Sequence, residues 1–137
     1  MVEIGNGKLT LEQVEAILID GKLLSISDSA VKRVEESFSF LQKFSADKVI
    51  YGINTGFGPM AQYRINEKHQ EELQYNLIRS HCSGTGEPIP VIHVKALMLA
   101  RLNTLLLGKS GVHADLVKLL ATYINLDICP VIYEHGS

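Results

Sequence analysis

Pro90-Val-Ile-His-Val-Lys-Ala-Leu-Met-Leu-Ala-Arg-Leu-Asn-Thr-Leu-Leu-Leu-Gly108 is the stretch that decides the fold class. A proline in the first turn loses no helical hydrogen bond, because that N–H has no partner there. A glycine just past the end can take the left-handed conformation that closes a helix. Between the two, apolar residues fall on nearly every side, so this helix must be buried by other elements. Lys95, Arg101, Asn103 and Thr104 interrupt it, and it falls short of the roughly 20 apolar residues that cross a bilayer. A core helix is expected, not a membrane span.

Four further helical segments are read around it. Thr10-Leu-Glu-Gln13 has the form of a capping box, after which Leu11, Val14, Ile17 and Leu18 share one face. A second helix begins near Ser27 or Ser29, with Val31, Val34, Phe38 and Leu41 at helical spacing. Asn66 is the expected N-cap of a third, carrying Leu73, Leu77 and His81. A fifth runs from about His113 to Asn125. Between the second and third, Lys48-Val-Ile-Tyr-Gly-Ile53 reads as a short strand leading into a Gly-rich loop. The fold class is therefore mainly α, with a short extended element and Gly-rich loop around 48–58.

Size and composition set the outer bounds. A chain of 137 residues, 46% hydrophobic and 20% charged, has the proportions of one soluble domain. A formal net charge of −2, with no basic run longer than Lys32-Arg33, gives no reason to expect nucleic acid or an anionic membrane as partner. Cys82 and Cys129 match no Cys-x-x-Cys spacing and suit a reducing compartment. The start Met-Val-Glu-Ile-Gly-Asn-Gly has neither a basic nor an apolar leader region, so a cytoplasmic protein is expected.

Chemistry is concentrated in two stretches. Tyr51-Gly-Ile-Asn-Thr-Gly-Phe-Gly58 places three glycines where backbone torsions closed to other residues become available. Asn54 and Thr55 add side chains that bond the backbone and fix a compact turn. It is not a phosphate loop, since Pro59 and Met60 stand where Lys and Ser or Thr are needed. What remains is a shaped loop presenting Tyr51, or a structural turn with a packed tyrosine. The second stretch is Gln74-Tyr-Asn-Leu-Ile-Arg-Ser-His81, followed by the turn Cys82-Ser-Gly-Thr-Gly86. His81, at a helix end, can bind a ligand, relay a proton or cap the last carbonyls. His69, His81 and His93 have no i,i+4 pairing, so no metal is expected.

In combination and order these motifs are more specific than any one of them. The loop Tyr51–Gly58, then Gln74-x-Asn-Leu-x-x-Ser-His81, then Arg101-x-Asn103 with Gly108-Lys-Ser-Gly111, then Gly136-Ser137, resembles the histidine and aromatic amino acid ammonia-lyases. The resemblance runs from about Ser25 onward and implies that residues 1–137 are a single partial domain, the N-terminal part of such an enzyme. It implies a methylideneimidazolone cofactor, formed by cyclisation of an internal Ala-Ser-Gly that follows the matched Gly-Ser. This chain contains no Ala-Ser-Gly, so Ser137 is not the cofactor serine and the piece itself is expected to be inactive. Tyr133 stands where many members have proline.

The implied activity is elimination of ammonia from an α-amino acid, with L-histidine giving urocanate as the first reading. Tyrosine or phenylalanine lyases and aminomutases share the motifs, and a non-catalytic helical fragment or interaction domain is the alternative of another class. Tyr51 matches the family's base. A free tyrosine has a pKa of about 10, so the site must favour the phenolate, and the backbone N–H groups of the loop are expected to form an anion-stabilising nest. Asn54 and Gly58 would support it. Ser80-His81 matches the pair that contacts the substrate side chain and is typical of histidine-acting members. Tyrosine-acting ones often carry His-Leu there and phenylalanine-acting ones Phe-Leu. The partners implied are the amino acid substrate, the rest of the lyase chain and the other subunits of a homotetramer.

Overall fold

The computed structural model describes residues 1–60, 65 and 67–136. The order of elements is β1 (Val2–Ile4), α1 (Leu11–Leu18), β2 (Leu24–Ile26), α2 (Asp28–Ser45), α3 (Glu67–His81), β3 (Gly84–Pro88), α4 (Val91–Leu105), α5 (Ala114–Asn125) and β4 (Tyr133–Gly136), with a 3-10 turn at Gly58–Met60 before α3. Mainly helical architecture is thus what the sequence folds into. Two compact units divide the chain: Met1–Phe40 with Pro88–Ile132, and Leu41–Glu87 with Tyr133–Ser137.

The first unit holds the hydrophobic core. α1 starts on the expected capping box: the Thr10 hydroxyl accepts the Gln13 N–H, and the Gln13 side chain takes the Thr10 N–H. At the start of α2 the Ser27 hydroxyl accepts the Ala30 N–H at 3.3 Å. Pro90 is the N-cap of α4, and the Gly108 N–H closes its end on Leu105 O. His113 caps α5 by accepting the Asp115 N–H at 3.2 Å, while its ring meets Phe38 edge-on at 4.9 Å. α4 packs on α5 and α1. Leu99, Leu102, Val117 and Ile124 are buried where they meet, each side chain contributing about 1.5–3 kcal/mol.

Two expectations on helix faces need correction. α4 is buried along one stripe only, through Val94, Met98, Leu99, Leu102 and Leu105, while Val91, Leu97 and Leu107 are exposed. Among the described residues no element covers that second side. Leu11 does not join Val14, Ile17 and Leu18 but stands 82% exposed, since at about 3.6 residues per turn it lies about 120° around the helix from the buried Ile17.

β1 and β2 pair in parallel, Val2 opposite Leu24 and Ile4 opposite Ile26, with α1 between them in sequence. On its other edge Leu24 is met by a side chain: Asn125 Oδ1 accepts the Leu24 N–H at 2.8 Å and Asn125 Nδ2 donates to Leu24 O at 2.9 Å. The parallel pair was not anticipated.

In the second unit the strand expected over Lys48–Ile53 does not form. Residues 51–54 are turn, and only Thr55 makes an isolated bridge. β3 and β4 form the unit's two-stranded sheet, with Gly84 against the Tyr133 side chain. The expected N-cap Asn66, and Ser137, lie outside the described residues. Cys82 and Cys129 are free thiols. Among the described residues no helix is long and apolar enough to cross a membrane, and no cluster of His, Cys, Asp and Glu is placed to hold a metal.

Candidate active site

The loop after α2 is folded largely by one side chain. Asn54 is buried, and its amide makes three bonds to nearby backbone. Oδ1 accepts the Ile50 N–H at 2.8 Å, and Nδ2 donates to Ser45 O at 3.1 Å and Lys48 O at 2.6 Å. Such local bonds compete with strand pairing, and Gly52 at φ +75° turns the chain further. That is why the apolar run 48–53 is not a strand. Thr55, also buried, accepts the Gly52 N–H at 3.3 Å and donates to Gly56 O at 2.9 Å.

The folded loop brings Tyr51 to Gly58. The Tyr51 hydroxyl accepts the Gly58 N–H at 3.4 Å, and its ring meets Phe57 edge-to-face at 6.0 Å. At that length the hydrogen bond holds the ring weakly. Among the described residues one backbone donor, that of Gly58, reaches the Tyr51 oxygen. Gly52 N–H is taken by Thr55, and the N–H groups of Ile53 and Asn54 by Ile50 O. Tyr51 itself is exposed.

The second cluster closes the end of α3. The Ser80 hydroxyl donates to Leu77 O at 2.8 Å, and His81 Nδ1 lies 2.9 Å from the same carbonyl and 3.0 Å from Ser80 Oγ. A carbonyl oxygen only accepts, so Nδ1 carries the proton in this arrangement. In the neutral tautomer with that proton, Nε2 is left as an acceptor. Of the roles open to it in sequence, His81 fills the capping one, and its Nε2 makes no hydrogen bond among the described residues.

Of the residues singled out in sequence, the structure joins Tyr51 to Gly58, and Ser80 to His81. Asn54 shapes the first cluster from inside. Among the described residues no hydrogen bond or ring contact links the Tyr51 loop to the Ser80–His81 pair. Thr55 bonds the backbone of the turn as its sequence context suggested, whereas Phe57 had not been given a part; its signal was present in the second aromatic of the loop.

Comparison with known proteins gives this geometry its context. Residues 9–137 match the family model described as aromatic amino acid lyase. The chain is 41% identical, over its whole length, to a probable histidine ammonia-lyase of Thermoplasma acidophilum, spanning 28% of that protein. It is also 41% identical to a tyrosine 2,3-aminomutase of Chondromyces crocatus, over 99% of the chain and 26% of that protein. Among solved structures, the ergothionase of Treponema denticola superposes with a TM-score of 0.92 at 31% identity, over 99% of this chain and 28% of that one. The chain therefore spans little more than a quarter of the length of these relatives. By the match to nearly all its residues, and by a fold shared at that level, the chain belongs to the aromatic amino acid lyase family.

Proposed function

We propose that this chain is the N-terminal part of an ammonia-lyase that converts L-histidine to urocanate, with Tyr51 as the base. The observation that carries the reading is the Tyr51 hydroxyl, exposed on a loop built by Asn54 and receiving the Gly58 N–H. A backbone donor aimed at a phenol oxygen stabilises negative charge on it. In the reaction the Tyr51 phenolate takes the β-proton, the Cα–Cβ double bond forms, and the C–N bond breaks with its electron pair leaving on ammonia. His81 Nε2, an acceptor when the ring is neutral, suits the N–H of an imidazole ring or the O–H of a phenol. The relatives named as histidine ammonia-lyases support the first of these substrates.

The methylideneimidazolone implied by the family resemblance has no source in this chain, which contains no Ala-Ser-Gly. The residues present do not form it, and what they contribute is proton removal and substrate contact. The 137 residues alone are accordingly inactive in this reading. The uncovered side of α4 supports a larger protein around the chain, one in which other segments and further copies of a homotetramer complete the site.

Tyr51→Phe in the full-length enzyme keeps the ring on Phe57 and removes the oxygen. A positioned general base contributes about 10²–10⁴-fold to rate, so kcat should fall by at least that range at an unchanged melting temperature. Near-normal kcat would return Tyr51 to a packing role. An aminomutase would reveal itself by a β-amino acid among the products, followed by chromatography of the same reaction.

A further inference from the structure

In the first unit a cleft of about 760 Å³ opens beside the turn after β1, lined among others by Lys8, Ser29, Arg33, Asn103, Leu106 and Leu107. None of these is among the residues proposed for catalysis. Arg33 is half-buried, and its Nη2 donates to Gly5 O at 2.6 Å and to Leu106 O at 3.2 Å. A guanidinium has five N–H donors, so those on Nη1 and Nε remain unspent among the described residues. No carboxylate lies within ion-pair distance of Arg33 or of Lys8 among the described residues. The Glu3 carboxylate accepts from the Asn6 amide and lines an adjoining, smaller cleft of about 180 Å³ that shares Lys8 with this one; it makes no ion pair with Lys8.

The cleft is also held in shape. Gly5 sits at φ +97°, where a Cβ would come within 2.6 Å of the Ala30 Cβ, so the turn that presents Gly5 O to Arg33 is fixed against α2. Two carbonyls already immobilise the guanidinium, and little side-chain freedom is left to lose when a ligand arrives. A half-buried cation without a counter-charge, a second cation beside it and a leucine wall together select an anion that also has an apolar part. We propose that this cleft binds a small organic carboxylate, its charge met by Arg33 and Lys8 and its apolar body by Leu106 and Leu107.

Hexanoate serves as the probe, titrated into the 137-residue chain by calorimetry, with hexanamide as its neutral isostere and inorganic phosphate as an anion with no apolar part. Saturable hexanoate binding is expected, weaker by about tenfold or more for either control, since each lacks one half of the recognition. Lys8 is exposed and makes no hydrogen bond among the described residues, so Lys8→Glu leaves the fold intact and should weaken hexanoate by at least about fivefold through charge reversal. Arg33→Gln should abolish binding in a chain whose circular dichroism is unchanged. No saturable binding, equal binding of hexanamide, or an unaltered affinity in Lys8→Glu would overturn the assignment. Titrating a longer protein that carries this chain separates the sources of the carboxylate. Binding there as well supports a free ligand, whereas loss of binding there would overturn the assignment, since an acidic side chain of the polypeptide then fills the cleft.

Discussion

Replacing Gly108 by alanine should cost far more than its chemistry suggests, and the reason is a backbone approach. Gly108 has φ +65°, a conformation that costs a residue with a Cβ about 1–2 kcal/mol. The added Cβ would also lie 2.8 Å from Arg33 O and 2.9 Å from Arg33 C and Cβ. Those atoms belong to the interior of α2 and cannot swing aside as a side-chain tip does. Forcing them apart adds about 1–3 kcal/mol of overpacking, for a total of about 2–5 kcal/mol. Gly21 is the internal control, with the same φ of +65° and nothing within 4 Å of its Cβ position. Gly21→Ala should therefore show the torsional cost alone, about 1–2 kcal/mol. Urea unfolding of the 137-residue chain, read as midpoint shifts at constant slope, measures both. Equal losses in the two variants would refute the close approach of Gly108 to α2.

Three other outcomes are expected. Asn54→Ala removes the amide that bonds Ile50, Ser45 and Lys48; the groups left behind should cost about 1–3 kcal/mol, and hydrogen exchange should accelerate in residues 48–58 before it does in α4. In the full-length enzyme, His81→Leu leaves a polar substrate atom without its acceptor, a loss of about 1–3 kcal/mol. The ratio of kcat/KM for histidine to that for phenylalanine should then drop about ten- to hundredfold. A common fall for both substrates would make His81 structural. The Glu12 carboxyl is held below its ordinary value by its own backbone N–H and then by the Thr10 hydroxyl. A lowered folded-state value means stability that is present above the unfolded pKa and lost as pH falls through the folded one. Acid titration of α1 helicity should flatten in Glu12→Gln.

The helices were most legible where they carried their own punctuation. Thr10 and Gln13, Pro90 and Gly108 act within a few residues of the element they bound, so local sequence suffices. The three-residue strands β1 and β2 are too short for a period of two to register, and only their pairing through space makes them strands. Lys48–Ile53 misled in the opposite direction, since its apolar residues are real but Asn54 captures the backbone that a ladder would use. Cys82-Ser-Gly-Thr-Gly86 reads as a turn, but from Gly84 on the chain is strand, because Tyr133 and His135 offer a second one beside it. In the candidate site, the loop was readable from its glycines and Asn54, whereas the meeting of Tyr51 with Gly58 depends on how that loop closes. The Arg33 cleft left no local signal at all. Its parts are Gly5, Arg33 and Leu106, separated by 28 and 73 positions along the chain.

The Asn125 amide has a consequence for what this protein does with its neighbours. In a strand the N–H and C=O of one residue point to the same side, so Leu24 offers an outward pair ready to recruit a third strand. Asn125 fills that slot with a side chain shaped like a peptide group, bonding both atoms as a strand would. A surrogate one residue long cannot be extended, and it is anchored to α5, so the growing edge is plugged from within the same molecule. At Leu24 the edge is thereby closed to a strand of another chain, a local check on fibre-like self-association that a single amide supplies.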